Sequence, residues 1–385
     1  MFARRTHWNT RPNALTTLLE EKQRCGETVI DLTRSNPTRC GFSYLPPDAL
    51  APLSQAAARQ YEPHPRGLLT ARKAVAALYA DSRILSPADV VLTASTSDAY
   101  AMLFRLLCDF GDGIAVPRPS YPLLEYLCDL ADVEPMPYRL SLDDEWSLDV
   151  ASVLRCIDAG ARAVILVHPN NPTGTWVRPE DLAQISRHAA REGCAIIRDE
   201  VFAPYTWSDR SDPTHGYDRE TPALTFSLNG LSKWVGLPQL KLSWITLAGP
   251  ASLRREALER LDVIADTFLS VNTPVQVALP DLLRLGPTAH AAIRERILRN
   301  LGAVRTACRN TAATLLPADA GWYAMLRLPR TKTDDEWAMH VLQHANVLVY
   351  PGHFFDADDD ALMVISLLPP KREITDGISA LLQQL

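Results

Sequence analysis

The sequence predicts an α/β protein whose larger part is a three-layer α/β/α domain on a mostly parallel, seven-stranded sheet. Two observations carry that prediction. From about residue 85 to 250, short apolar runs alternate with stretches of helical periodicity. Runs such as Ala-Val-Ile-Leu-Val at 163–167 are apolar on both faces, as strands covered by helices on either side must be. At 385 residues and 47% hydrophobic content, the chain can bury a full core and suits one large domain with a smaller companion.

The elements follow in order. Strands are expected at 89–93, 113–116, 133–137, 161–168, 195–199, 224–228 and 242–247. After the first strand, Ala99, Met102, Leu103, Leu106 and Leu107 recur at helical spacing, which sets the Ser95-Thr96-Ser97 turn between a strand end and a helix start. Beyond residue 285, Ile293, Ile297, Leu301, Val304, Cys308 and Ala312 mark one long helix. Thr333 and Glu336 frame a capping box, and Ile374, Ile378, Leu381 and Leu385 stripe the last helix. Prolines gather at turns such as Pro117, Pro119 and Pro122.

Composition excludes several classes of function. A formal net charge of −6 gives no basic excess for phosphate backbones or anionic lipid, so nucleic acid is not an expected partner. No apolar run reaches the roughly 18 residues a spanning helix needs, and the N-terminus lacks a signal-peptide core. A cytoplasmic protein with no membrane partner is the expectation. The seven cysteines show neither C-x-x-C nor metal-ligand spacing, so they read as reduced core residues and no metal is expected.

Chemistry concentrates in three segments: His-Pro-Asn-Asn-Pro-Thr-Gly (168–174), Arg-Asp-Glu-Val-Phe (198–202) and Ser-Leu-Asn-Gly-Leu-Ser-Lys-Trp-Val-Gly-Leu-Pro (227–238). In the last, Lys233 lies between apolar Leu231 and Trp234, and a buried lysine with a depressed pKa can serve as nucleophile and proton carrier. Asp199 follows an apolar strand, at the end where open α/β sheets gather ligands. Read alone, it is equally a turn former. Together the three segments resemble the pyridoxal-phosphate-dependent aminotransferases of class I/II, the aspartate aminotransferase superfamily of fold type I.

That resemblance covers nearly the whole chain and implies a smaller α+β domain built from both chain ends, with residues 1–50 joining 285–385 around a large cofactor-binding domain at 51–284. It implies pyridoxal 5′-phosphate as cofactor, carried by Lys233 as a Schiff base, with Asp199 on the pyridine nitrogen and Asn171 on the phenolic oxygen. Tyr121 takes the position of the aromatic that stacks on the ring, although a tyrosine between prolines is also a common packed-loop residue. Ser95, Thr96 and Ser97 offer hydroxyls and amides at a helix N-terminus for the phosphate, completed by Ser232 and Lys241. Tyr61 resembles the tyrosine that reaches the phosphate from a neighbouring subunit, which implies a homodimer with a shared active site. The partners implied are a small-molecule amino donor and acceptor.

Four departures accompany the resemblance. Lys241 replaces an arginine on the phosphate, Gly230 replaces a hydroxyl residue, and Phe202 replaces a tyrosine that bonds the phenolic oxygen, a loss that Tyr205 could make good. Val364 fills the slot of the arginine that grips the substrate α-carboxylate. Losing a charge-assisted anchor forfeits about 1.5 to 3 kcal/mol. Arg34, with Asn36 beside it, is the candidate substitute; a solvated surface arginine is the alternative. The resemblance therefore implies an aminotransferase-like enzyme acting on an amino acid or amine-bearing metabolite. A decarboxylase, lyase or cyclising synthase on the same fold is the second reading, and a non-catalytic cofactor-binding sensor the third.

Overall fold

The structure is a computed structural model describing residues 1–80, 85–207, 221–269 and 271–385. Helix α1 (Ala14–Arg24) starts where the Asn13 side chain accepts from the Thr16 amide, and the short strand β1 (Ile30–Asp31) follows. The large sheet is then threaded through β2 (Val90–Thr93), β3 (Gly113–Arg118), β4 (Glu134–Leu142), β5 (Trp146–Leu148), β6 (Ala163–Val167), β7 (Ala195–Asp199), β8 (Thr225–Gly230) and β9 (Ser243–Ala248). The helices up to this point are α2 (Leu69–Leu78), α3 (Thr96–Leu107), α4 (Leu124–Ala131), α5 (Val150–Asp158), α6 (Pro179–Glu192) and the single turn α7 (Leu231–Trp234).

All seven expected strands form, and β5 adds an eighth at the edge, antiparallel to β4. Three half-buried residues are too few to leave an apolar run in the sequence. The strand order is β2-β9-β8-β7-β6-β3-β4-β5, parallel from β8 through β4. Alternate residues serve alternate faces. Ile114 and Val116 pack with α3, α4 and α8 (Ala251–Phe268), whereas Ala115 packs with α5 and α6. Both faces are covered, which is why these strands read as continuous apolar runs.

The C-terminal part holds α9 (Thr273–Leu283), the 22-residue α10 (Gly286–Ala307), β10 (Thr314–Leu315), β11 (Tyr323–Arg327), α11 (Asp334–Ala345), β12 (Val347–Leu348), β13 (Tyr350–Pro351), β14 (Leu362–Ser366) and α12 (Lys371–Leu382). Both bonds of the Thr333–Glu336 capping box form at the start of α11. Strands β10-β11-β14-β13 make a four-stranded antiparallel sheet. Leu15, Leu32 and Cys40 share one core with Ile293, Trp322, Val341 and Ile378, and β1 pairs in parallel with β12. The two chain ends are thus packed together. Among the described residues, no helix is long and apolar enough to cross a membrane.

Candidate active site

Strand β9 runs against its neighbours, so the C-terminal ends of β2, β3, β6, β7 and β8 share one edge with the start of β9. The strand order reverses between β3, which continues to β4, and β6, which continues to β7. A crevice outside the strand ends at such a reversal is where open α/β sheets bind ligands. Tyr121 follows β3, Asn171 follows β6, Asp199 closes β7 and Lys233 follows β8. The Ser95 turn follows β2 and opens α3.

Asp199 is buried, and its Oδ2 accepts from the Tyr100 hydroxyl of α3 at 3.1 Å while Oδ1 accepts from the Val201 amide at 3.2 Å. Burial raises its pKa to about 6, against the pull of those two bonds and of Lys233. Its neighbours Arg198 and Glu200 project to the opposite face of β7, where they pair with each other and Arg198 also donates to Ser227 Oγ at 2.9 Å. The dry strand end therefore keeps only Asp199 on the crevice side.

Lys233 Nζ lies 4.6 Å from the centroid of Trp322 and 5.4 Å from that of Phe202. Desolvation by this enclosure lowers its pKa to about 8, with the Asp199 charge opposing. Its backbone is tethered as well, because the buried Tyr205 hydroxyl donates to the Lys233 carbonyl at 2.6 Å.

The remaining expected residues divide. The Asn171 side chain is buried, and its Oδ1 has no partner among the described residues. The preceding Asn170 ties the two loops together by donating to the Pro119 carbonyl at 3.2 Å. Buried His168 stays neutral, its pKa pushed down to about 3 mainly by desolvation, and Nδ1 accepts from the Val177 amide. Ser95 caps α3 by accepting from the Asp98 amide, leaving Thr96 and Ser97 half-buried at the helix mouth beside its free N–H groups. Ser232 is half-buried in α7; Lys241 is exposed with a left-handed φ of 50°. Tyr121 is partly exposed and Tyr61 is 70% exposed.

The match to the family model described as aminotransferase class I and II spans residues 27–373. The chain belongs to that family. A glutamate-pyruvate aminotransferase of Haemophilus influenzae is 26% identical over 378 residues, 94% of this chain and 91% of that protein. An alanine aminotransferase of Mycobacterium bovis is 26% identical over 89% of this chain and 76% of its own length. Among solved structures, the alanine aminotransferase of Pyrococcus furiosus superposes with a TM-score of 0.88 at 23% identity, covering 100% of this chain and 99% of that one. A Thermus thermophilus aspartate aminotransferase variant gives 0.86 at 20% identity over the whole of both chains. These two likenesses are of fold.

In this aminotransferase the departures acquire physical reasons. The Tyr205 hydroxyl donates its proton to the Lys233 carbonyl, which leaves it no proton to donate elsewhere in the place of a hydroxyl at Phe202. A Cβ at Gly230 would meet Ser243 Oγ at 2.2 Å, since the two residues face each other in the β8–β9 register. The hydroxyl absent from position 230 is thus present at the same edge from Ser243. Val364 is fully buried opposite Met325 and Tyr350, against Phe355. Arg34 forms an ion pair with Glu373 of α12, so its charge is answered from the last helix. Asn36 accepts from the Thr38 amide and hydroxyl as a local cap. Tyr323, opposite Ser366 in the β11–β14 register, stands edge-on to Phe202 at 6.3 Å. Sequence reasoning missed Tyr100, Ser243, Tyr323 and Trp322, each of which reads as an ordinary core or strand residue.

Proposed function

We propose that this aminotransferase moves an amino group from an amino acid to a keto acid on pyridoxal 5′-phosphate, held at the β3–β6 crevice. The observation that carries the reading is a desolvated lysine amine and a buried carboxylate, Lys233 and Asp199, following adjacent parallel strands at the ligand-binding edge. The residues fit the cofactor. A helix N-terminus with Thr96 and Ser97 suits a phosphate, with Ser232 and Lys241 completing the cradle. The buried Asn171 side chain would offer its Nδ2–H to a ring oxygen, and Asp199 suits a protonated ring nitrogen. When bound, the cofactor supplies an aldehyde that condenses with amines and a ring that accepts the electron pair freed at the substrate's α-carbon.

Within that frame, Lys233 would hold the cofactor through Nζ and, when free, would carry the proton removed from the substrate's α-carbon. Its pKa near 8 keeps a usable fraction as free amine near neutrality. Asp199 would hold a proton on the ring nitrogen, with Tyr100 and the Val201 amide fixing the orientation of the carboxylate. Tyr121 provides the ring's stacking face. The exposure of Tyr61, and of other large apolar side chains such as Leu69, Phe268 and Leu269, supports a homodimer in which Tyr61 reaches the partner's phosphate site.

The names of the relatives point the substrate search to alanine, glutamate and pyruvate. The protein loaded with cofactor is mixed with each amino acid while the cofactor's absorbance band is followed and the product weighed by mass spectrometry. Conversion to the aminated cofactor with release of a keto acid is expected; carbon dioxide or ammonia without a keto acid would replace transamination by lyase chemistry.

We further propose that Arg34 is the carboxylate contact, in competition with Glu373. Arg34→Ala then raises KM by about 10- to 100-fold with kcat little changed, and Glu373→Gln lowers KM by freeing the guanidinium. Unchanged KM in both variants assigns Arg34 to packing alone.

A further inference from the structure

The surroundings of Lys233 Nζ are aromatic, and the two nearest rings are held from different parts of the fold. Phe202 follows β7 in the large sheet. Trp322 precedes β11 and is fixed by the Leu367 amide, which donates to its carbonyl at 2.7 Å. The rings meet edge to face at 5.5 Å and 72°, and both are buried, so they are rigid. Their centroids lie 4.6 and 5.4 Å from Nζ, within the roughly 6 Å over which a ring's quadrupole attracts a cation.

A further observation concerns the indole itself. Trp322 Nε1 is buried with no partner among the described residues, a cost that a hydrogen-bonding role would have avoided. The position uses the ring's face. Trp322 also packs against Tyr205 at 5.1 Å, and Tyr205 holds the Lys233 carbonyl. One aromatic set therefore fixes both ends of the lysine.

We propose that Phe202 and Trp322 are positioning residues that form a cation–π seat for the protonated Lys233 side chain whenever it is not bonded to the cofactor. The seat favours the ammonium against the desolvation that opposes it. The other titratable groups around the lysine are Asp199, which attracts it, with Tyr100 and Tyr121 next to that carboxylate. The Tyr205 hydroxyl is committed to the backbone, and His290 lies behind Trp234 and Tyr205. Because one ring follows a strand of the large sheet and the other precedes a strand of the small one, the seat is complete only when the two sheets are packed together. The freed amine is thereby held near the crevice rather than swinging into solvent. A phenylalanine at 202 supplies such a face without a hydroxyl.

The inference rests on the proposed role of Lys233, and its test separates the two. The full-length chain, freed of cofactor, is treated with trinitrobenzenesulfonate across a range of pH, and the labelling rate at Lys233 is read by peptide mass spectrometry. In Trp322→Leu the midpoint moves to lower pH, so labelling at pH 7 relative to the high-pH plateau rises about two- to five-fold. Trp322→Phe, which keeps a face, stays close to the parent. Phe202→Leu and Phe202→Tyr repeat the contrast should the tryptophan variants fold poorly, as judged by circular dichroism. A midpoint unmoved or raised in both leucine variants, or shifted equally in the variants that keep a ring, overturns the seat. Borohydride trapping of the cofactor on the parent is scored separately: a label on a residue other than Lys233 sinks the proposed function whatever the midpoints do.

Discussion

Lys233→Ala lowers kcat by at least about 10⁴-fold, the upper range for losing one positioned proton-transfer group, and borohydride then leaves no cofactor on the peptide 227–238. Deletion of the amine removes both the covalent tether and the proton carrier, so added methylamine restores turnover only in part and the label not at all. In the parent, the rate of the proton-transfer step rises with pH and levels off above about 8. The sign follows from burial, which lowers the ammonium's pKa and makes the free amine available below its ordinary range. Stopped-flow measurement of the first half-reaction reads this directly. A Lys233→Ala protein that retains turnover within tenfold would remove the lysine from the mechanism.

Asp199→Asn has the next largest effect, a fall in kcat of about 10²- to 10³-fold, as expected when a pre-positioned charge that stabilises the transition state is neutralised. Asp199→Glu retains part of the activity, because the charge survives while its bonds to Tyr100 and Val201 are displaced. The same residue leaves a mark on stability. Its folded pKa, near 6, lies above the ordinary carboxyl range because it is buried, so between about pH 4 and 6 the folded chain binds more protons than the unfolded one. Stability of the cofactor-free protein therefore falls as pH rises through that window, and Asp199→Asn removes this contribution to the slope. Urea unfolding at several pH values measures it; an identical slope in the variant would show that Asp199 does not titrate there.

Much of the sheet and the centre of the site was legible because the physics is local. Strands covered on both faces leave apolar runs, as at 163–167 and 195–199, and the ends of those runs set Asp199 and the Lys233 loop on one edge. What escaped depends on register and on partners distant in sequence. Ser243 matters because it faces Gly230 across two strands, and Tyr100 because one helix turn sets its hydroxyl over β7. Trp322, just before β11, reaches the lysine and Tyr323 reaches Phe202 from the second sheet, which no local pattern announces. Arg34 illustrates the converse. Its motif made it a candidate anchor, but Glu373, from the last helix, decides how much of its charge is available.

The pairing of Ile30 and Asp31 with Val347 and Leu348 has a bearing on biogenesis. Residues 30 and 31 are synthesised long before the strand and helices that cover them. Throughout synthesis Leu15, Leu32 and Cys40 lack the surface that will cover them, while the parallel strands of the central sheet are themselves slow, long-range pairings. These apolar residues thus stay uncovered until that later stretch has been made. A soluble yield that depends on chaperones and growth temperature is the expected outcome, and loss of α12 uncovers Leu32 as well as its own strand neighbours.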